Sequence, residues 1–281
     1  MITRKQLIEL ALKEDVGAGD HTSLACISPQ AKGKAVLLVK AGGILAGVDV
    51  AQEVFQCVDA TLQLNTFMKN GDACSPGDIA FEITGSAQSI LTGERLCLNL
   101  MQRMSGIATL TSKYVKACAG TTTRVLDTRK TTPGIRVFEK QAVKIGGGEN
   151  HRFGLDDYIM LKDNHIDYAG GIPQAIFRVK EYLKKNRLKL QVEIETRNLD
   201  EVNQVLKTGH VNRIMLDNFT PEQTREAVKL INGQYETESS GGITLNSIGQ
   251  YATCGVDYIS VGALTHSAVS LDLSLKADIA K

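Results

Sequence analysis

The chain has 281 residues, 43% apolar and 22% charged, with 32 basic against 31 acidic side chains and a net charge of +1. That size suits one large or two moderate globular domains, and the charge balance excludes a protein held mainly by non-specific attraction to nucleic acid or membrane. The longest apolar runs, such as AVLLV from Ala35, are too short to cross a bilayer, and MITRKQLIELALKED has no apolar signal stretch.

Thr3 and Gln6 have the spacing of a capping box, which predicts a helix to about Lys13. Short β-like runs follow: KAVLLVK from Lys34, GILAGV from Gly43 and DIAFEITG from Asp78, each bounded by glycine or proline. A long helical pattern starts near Ser89 and runs to about Ala119, with an interruption expected at Ser105-Gly106. Cys26, Cys57, Cys74, Cys97, Cys118 and Cys254 show no CxxC or CxxH spacing. They read as reduced and mostly buried, which implies a cytoplasmic protein.

From about Arg124 the rhythm changes. Six short runs recur: RVLDTRK, DYIMLKDNH, LQVEIET, RIMLDNF, QYETESSGG and DYISVGALTH. Helical patterns such as GIPQAIFRVKEYLKK and TPEQTREAVKLING separate most of them, and from the third run the repeat is about 22 residues. This spacing predicts βα units in a parallel sheet that closes into an α/β barrel, with a doubly wound sheet as the competing architecture. The expected division is an N-terminal domain at 1–112 and a barrel at 113–266, the tail 267–281 packing back on the first.

Barrels of this kind carry their chemistry at the carboxyl ends of the strands. Here the runs end in Asp127, Arg129 and Lys130, in Lys162, Asp163 and His165, in Glu193 and Glu195, in Asp217 and Asn218, in Ser240-Gly241-Gly242, and in Gly262. Between Asp127 and His165 lie Arg129, Lys130, Arg136, Lys140, Lys144, Arg152 and Lys162, together with His151. So many cations in a nearly neutral chain point to a pocket for a small, multiply anionic ligand.

Pro133 is placed in the first turn of a helix running to about Ile145 and ended by Gly146-Gly147-Gly148. Arg136, Lys140 and Lys144 stack on one face of it. A solvated face is the plain reading. The pairs Arg129-Lys130 and His151-Arg152 on either side favour one shared anion site.

Glu193 and Glu195 point to the same side of their strand, where carboxylates need cations or a metal. Glu195, nearer the strand end, is better placed for ligand, while Glu193 is equally read as neutralising a neighbouring lysine. Asp217 suits a divalent metal or ribose hydroxyls, against a helix N-cap. Ser240-Gly241-Gly242 and Gly262 suit a phosphate cradle between the last two strands.

The same residues carry a resemblance. EDVGAGDHTS (14–23), GERLCLNLMQRMSGIAT (93–109), DTRKTTPGIR and KQAVKIGGGENHR up to Arg152 are its first half. MLKDNH (160–165), VEIE (192–195), MLDNF (215–219), SGGI (240–243) and ISVGALTHS (259–267) complete it. Over essentially its whole length the chain resembles the quinolinate phosphoribosyltransferases, also called nicotinate-nucleotide pyrophosphorylases (carboxylating).

The resemblance implies an N-terminal α/β sandwich-like domain and an incomplete α/β barrel of six or seven strands. It implies phosphoribosyl transfer from 5-phosphoribosyl 1-diphosphate to quinolinate with decarboxylation, in de novo NAD biosynthesis. Arg95, Arg129, Lys130, His151, Arg152 and Lys162 would surround quinolinate and the phosphates. Glu195 and Asp217 would face ribose and metal, and Ser240, Gly241, Gly242 and Gly262 would hold the 5′-phosphate. Lys130, Lys162, Glu195 and Asp217 form the implied catalytic set. Mg2+ would accompany the donor, with no organic cofactor and no nucleic-acid or membrane partner. A homodimer is implied, with Arg95 entering from the partner subunit and assembly beyond the dimer left open.

The alternative is a sister phosphoribosyltransferase, of the type associated with molybdate transport, acting on another aromatic acid. More distant rivals are a barrel lyase or isomerase using Lys130 or Lys162 as a Schiff-base amine, and a non-catalytic phosphate-ligand binding protein.

Overall fold

The structure is a computed structural model that describes residues 3–277. The N-terminal elements are α1 (Arg4–Val16), α2 (His21–Cys26), β1 (Lys32–Val39), β2 (Gly43–Ile44), α3 (Val48–Val58), β3 (Gln63–Thr66), β4 (Ala73–Cys74), β5 (Ile79–Ser86) and α4 (Ala87–Ala117). There follow β6 (Arg124–Leu126), α5 (Arg136–Ile145), β7 (Ile159–Leu161), α6 (Asp163–Ala169), α7 (Ile172–Asn186), β8 (Val192–Thr196) and α8 (Leu199–Thr208). The last are β9 (Arg213–Asp217), α9 (Pro221–Ile231), β10 (Glu236–Ser240), α10 (Ile248–Ala252), β11 (Tyr258–Ser260), α11 (Ala263–His266) and β12 (Leu273–Ala277).

The chain forms two compact units. The first takes the described parts of Met1–Ser112, Thr131–Gly147 and Leu264–Lys281, and the second takes Lys113–Lys130 and Gly148–Ala263. The segment 131–147, which the sequence places within the barrel domain, thus groups with the first unit.

In the first unit, Thr3 and Gln6 cap α1 as expected, Gln6 N donating to Thr3 Oγ1 and Thr3 N to Gln6 Oε1. A four-stranded antiparallel sheet runs in the order β12-β1-β5-β3, so residues 273–277 return to pair with β1. Alternate residues of β1, Ala35, Leu37 and Val39, are buried, as the two-residue period of a strand dictates.

The interruption expected in α4 is absent: the helix is continuous from Ala87 to Ala117. Ser105 instead uses its hydroxyl across the unit, accepting from Ala46 N and donating to Ala46 O. Gly106 admits the chain at Val269, whose carbonyl oxygen would lie 2.1 Å from a Cβ. The two small residues mark a close approach, not a break.

The second unit holds six parallel strands in the order β6-β11-β10-β9-β8-β7. All six predicted runs are strands. The first strand of this unit, β6, lies beside its last, β11, and β7 to β11 follow one another without reversal, which is barrel order and not doubly wound order. No ladder joins β6 to β7. Glu149 takes the other edge of β6, its N–H donating to Val125 O at 2.8 Å and its carbonyl accepting from Asp127 N at 3.1 Å. The barrel is incomplete, as expected.

Parallel neighbours share their inward phase, so the register puts Arg213 beside Glu193 and Glu236, and Ser240 beside Asp217. Charged side chains therefore line the inside of the sheet from floor to rim.

Candidate active site

The loop after β6 and the segment after Glu149 are tied together by Asp127. Its fully buried carboxylate accepts the His151 backbone N–H at 2.9 Å. This one hydrogen bond brings Arg129 and Arg152, 23 positions apart in the chain by subtraction of their numbers, to the same rim. Both are half-buried, and burial together with the charge of Arg129 holds the Arg152 guanidinium below its usual value. Arg129 Nε is shielded from solvent and makes no hydrogen bond. Two crowded guanidiniums, one with an unspent donor, form a site that an anion stabilises.

Lys162 follows β7 and pairs with Glu195 from the end of β8. Glu195 also accepts from Asp163 N at 3.3 Å, and His165 Nδ1 accepts from Lys162 N at 3.0 Å. Arg152 feels the charge of Glu195 as well. Arg129, Arg152, Lys162 and Glu195 thus converge. Lys130 continues the same loop with an exposed side chain, its N–H donating to Thr128 Oγ1. Arg95 is exposed on α4 in the first unit.

Helix α5 differs from expectation. It begins at Arg136, three residues beyond Pro133, because Gly134 turns the chain at φ +84° and Glu139 reaches back to accept from Thr132 N and Oγ1. Lys140 is buried and Lys144 exposed, so the three cations do not share one environment. They belong to the first unit, whereas Arg129, Lys130, His151 and Arg152 belong to the second.

Asp217 ends β9 half-buried, and the cap of the next helix is Thr220, so the N-cap reading of Asp217 falls. Asn218, in the left-handed region at φ +58°, donates from Nδ2 to Asp217 Oδ2 at 2.8 Å and from its backbone N to Ser240 O at 2.9 Å. A Cβ on Gly241 would lie 2.2 Å from Asn218 Oδ1. Asp217, Ser240 and Gly241 are therefore interlocked through Asn218. Gly242 faces open space, and Gly262 follows β11 on the adjacent strand. Helix α10 starts only at Ile248, which leaves backbone of the turn, not a helix end, beside Ser240–Gly242.

Below the rim lies a charged interior. His151 Nε2 is 3.0 Å from Glu193 and 3.4 Å from Glu238, and Arg213 Nη1 donates to Glu238 at 2.8 Å. Arg213 also donates to Glu236 and stacks on Tyr258, 3.8 Å from the ring centre. Glu193 thus faces a histidine rather than the lysine foreseen for it.

Burial opposes a charged ring at His151, but Glu193 and Glu238 outweigh it and draw the imidazole up to about 9. Burial, then Glu238, pushes Glu193 up to about 7. Burial also opposes ionisation of Glu238, yet His151 and Arg213 hold it below the ordinary carboxylate range. His151 Nδ1, which would carry the extra proton, already accepts the Arg152 N–H at 2.7 Å. The ring therefore keeps its proton on Nε2 and the cluster titrates as one unit, holding a further proton more tightly than its parts do in water.

Among the described residues, His151, Glu193 and Glu238 are the group of three acid or imidazole side chains whose ligand atoms lie within 4.8 Å of one another. Because Nδ1 accepts the Arg152 N–H, the ring proton falls on Nε2, the nitrogen that faces both carboxylates. Among the described residues, Glu195 and Asp217 belong to no such group. Two hard carboxylates fit a Mg2+ that brings water and phosphate oxygens for its remaining positions.

Asn218 was foreseen only as a polar residue at its strand end, and Arg213 and Glu238 were not foreseen as site residues. The latter two were legible in principle, since Arg213, Glu236 and Glu238 alternate with uncharged residues in the phase that puts Glu193 inside.

The cysteines are free, four of them buried, as read from their spacing, and no described helix is long and apolar enough to cross a membrane. Residues 20–105 match the N-terminal domain of quinolinate phosphoribosyl transferase, and residues 107–276 match its C-terminal domain. Nicotinate-nucleotide pyrophosphorylase [carboxylating], chloroplastic, of Arabidopsis thaliana is 46% identical over 289 residues, spanning 98% of this chain and 82% of that protein. The probable nicotinate-nucleotide pyrophosphorylase [carboxylating] of Bacillus subtilis is 42% identical over 96% of this chain and 92% of its own. The solved structure of NadC from Streptococcus pyogenes superposes with a TM-score of 0.92 at 42% identity, covering 98% of this chain and 97% of that one. These relatives do not favour the sister-transferase alternative. With both halves matched and identities above 40% across nearly the full length, the chain belongs to the quinolinate phosphoribosyl transferase family.

Proposed function

We propose that the chain transfers the phosphoribosyl group of 5-phosphoribosyl 1-diphosphate to the ring nitrogen of quinolinate with loss of CO2. The products are nicotinate mononucleotide and diphosphate, a step of NAD biosynthesis. The observation that carries this reading is the pair of crowded guanidiniums, Arg129 with its unspent buried Nε and Arg152 beside it. Planar two-toothed donors match the two adjacent carboxylates of quinolinate.

In this reading the work divides among the groups of the rim. Lys162, held by Glu195, is a third cation at the quinolinate end. The anomeric C–O bond breaks with its electron pair leaving on diphosphate, and the sugar carbon gains oxocarbenium character. Glu195 and Asp217 lie at neighbouring strand ends, suited to stabilise that charge or hold the ribose hydroxyls. Lys130, with its exposed side chain, is the cation for diphosphate, and Mg2+ bound with the donor would neutralise the leaving group. Backbone N–H groups of the Ser240–Gly242 turn and Gly262 take the 5′-phosphate.

The pyridine nitrogen is the nucleophile, so no activated serine or cysteine is required. Once quaternised, the ring accepts the electron pair of the C2–carboxylate bond. CO2 departs, and C2 then takes a proton, while the arginines keep hold of the 3-carboxylate. Arg95 of a second copy of the chain completes the cation set in a homodimer. A cytoplasmic, reducing setting fits the free cysteines.

The test is direct. Purified chain incubated with quinolinate, the donor and Mg2+ forms nicotinate mononucleotide and releases CO2; absence of product with authentic substrates refutes the reading. Mixing an Arg95→Ala dimer with a Lys130→Ala dimer under subunit exchange restores part of the activity. Continued inactivity after proven exchange refutes the shared site.

A further inference from the structure

The barrel interior beneath the rim buries Arg213, Glu193, Glu238 and the His151 ring, none of which the reaction consumes. Charges taken out of water are costly unless each is paired, and such groups are retained where they fix a geometry. Here the contacts run in one line. Tyr258 and Glu236 hold Arg213, Arg213 holds Glu238, and Glu238 and Glu193 flank His151 Nε2 at 3.4 and 3.0 Å.

On its other side the ring accepts the Arg152 N–H at Nδ1, 2.7 Å away, while the His151 N–H is donated to Asp127. Its side chain is only 5% exposed, and the Tyr158 ring stands edge-on at 5.7 Å. Nδ1 is thus taken by the backbone, and Nε2 faces two buried carboxylates at 3.0 and 3.4 Å. A ligand could claim one only by displacing a buried partner.

We propose that His151 does not touch quinolinate but acts through Arg152. Glu193 and Glu238 anchor the imidazole at Nε2 and its Nδ1 clips the Arg152 backbone, making all three positioning residues for the carboxylate-binding guanidinium. The inference rests on the proposed function and replaces the substrate contact that the resemblance implies for His151.

The experiment compares the unaltered chain with Glu193→Gln, Glu238→Gln, His151→Asn and His151→Gln. An asparagine amide oxygen reproduces the Nδ1 acceptor, and a glutamine amide nitrogen reproduces the Nε2 donor. Each carboxylate variant raises KM for quinolinate about tenfold, leaves KM for the donor within about twofold, and changes kcat little, the mark of lost binding rather than lost chemistry. His151→Asn retains more quinolinate affinity than His151→Gln.

Imidazole 15N spectra of the unaltered chain show His151 protonated at Nε2, with both nitrogen shifts unmoved by saturating quinolinate; this arm needs no variant to fold. If quinolinate moves a His151 nitrogen resonance by direct contact, or if folded Glu193→Gln and Glu238→Gln keep the normal KM while His151→Asn abolishes binding, the positioning role is overturned and the functional reading stands. If the unaltered chain neither binds quinolinate nor forms product, the functional reading falls and takes this inference with it.

Discussion

Gly241→Ala and Gly242→Ala differ by one methyl position and separate backbone strain from the interlock of the rim. Both glycines are left-handed, at φ +95° and +59°, so each alanine carries a backbone cost of about 1–2 kcal/mol. At Gly242 nothing lies within 4 Å of the new Cβ. At Gly241 the methyl falls 2.2 Å from Asn218 Oδ1, 2.6 Å from its Cγ and 2.8 Å from its N. Asn218 yields only by giving up its amide donation to Asp217 or its backbone bond to Ser240.

A hydrogen bond to a charged group contributes about 1.5–3 kcal/mol, which at about 2–4 °C per kcal/mol separates the variants by roughly 3–12 °C, Gly241→Ala being the lower. Thermal unfolding monitored by circular dichroism measures the gap. Equal melting temperatures would falsify the interlock. Gly241→Ala also loses kcat about tenfold, since Asp217 is no longer aimed by its neighbour.

Stability should respond to pH through the His151 cluster. With His151 Nδ1 committed to the Arg152 N–H, the further proton of the cluster goes to Glu193, whose folded value is raised from 4.5 to about 7. Its contribution is fully present below pH 4.5 and lost as pH rises through 7. The melting temperature therefore falls between pH 4.5 and 7, and Glu193→Gln flattens that slope; an unchanged slope sinks the assignment. Glu139→Gln removes the buried charge paired with Arg103 and replaces one of the two acceptor oxygens by an amide donor facing the Thr132 loop, which costs about 3–5 kcal/mol, read by urea unfolding. Arg129→Lys keeps the charge but loses the planar fork, so KM for quinolinate rises about tenfold while the donor KM holds; no change in steady-state kinetics would show that bidentate contact is absent.

Much of this protein was legible in local pattern. The capping box at Thr3, the six strand runs and the polar residue at each strand end follow from periods of two and 3.6 residues and from the chemistry of termini, which a short window contains. Resemblance across nine motifs pointed to the family. Residues 63–66 and 273–277 gave little signal, since QLNT and LSLKA become strands by pairing with β5 and β1. Ser105-Gly106 misled for a related reason: small residues that look like a helix break serve close packing, and only the partner at Ala46 or Val269 distinguishes the two.

Sequence by itself determined which residues reach the rim, because strand phase and strand end are local properties. Tertiary structure alone decided what those residues do to one another. Folding of the parallel sheet sets Asp127 against His151 and seats the imidazole between Glu193 and Glu238 with its other nitrogen on Arg152, while the basic helix 136–145 joins the first unit with Lys140 buried. Apart from the clip between the adjacent His151 and Arg152, the side-chain contacts join positions 24 to 87 residues apart, and no periodicity encodes a partner at that distance; it follows from the packing that excludes water from the barrel.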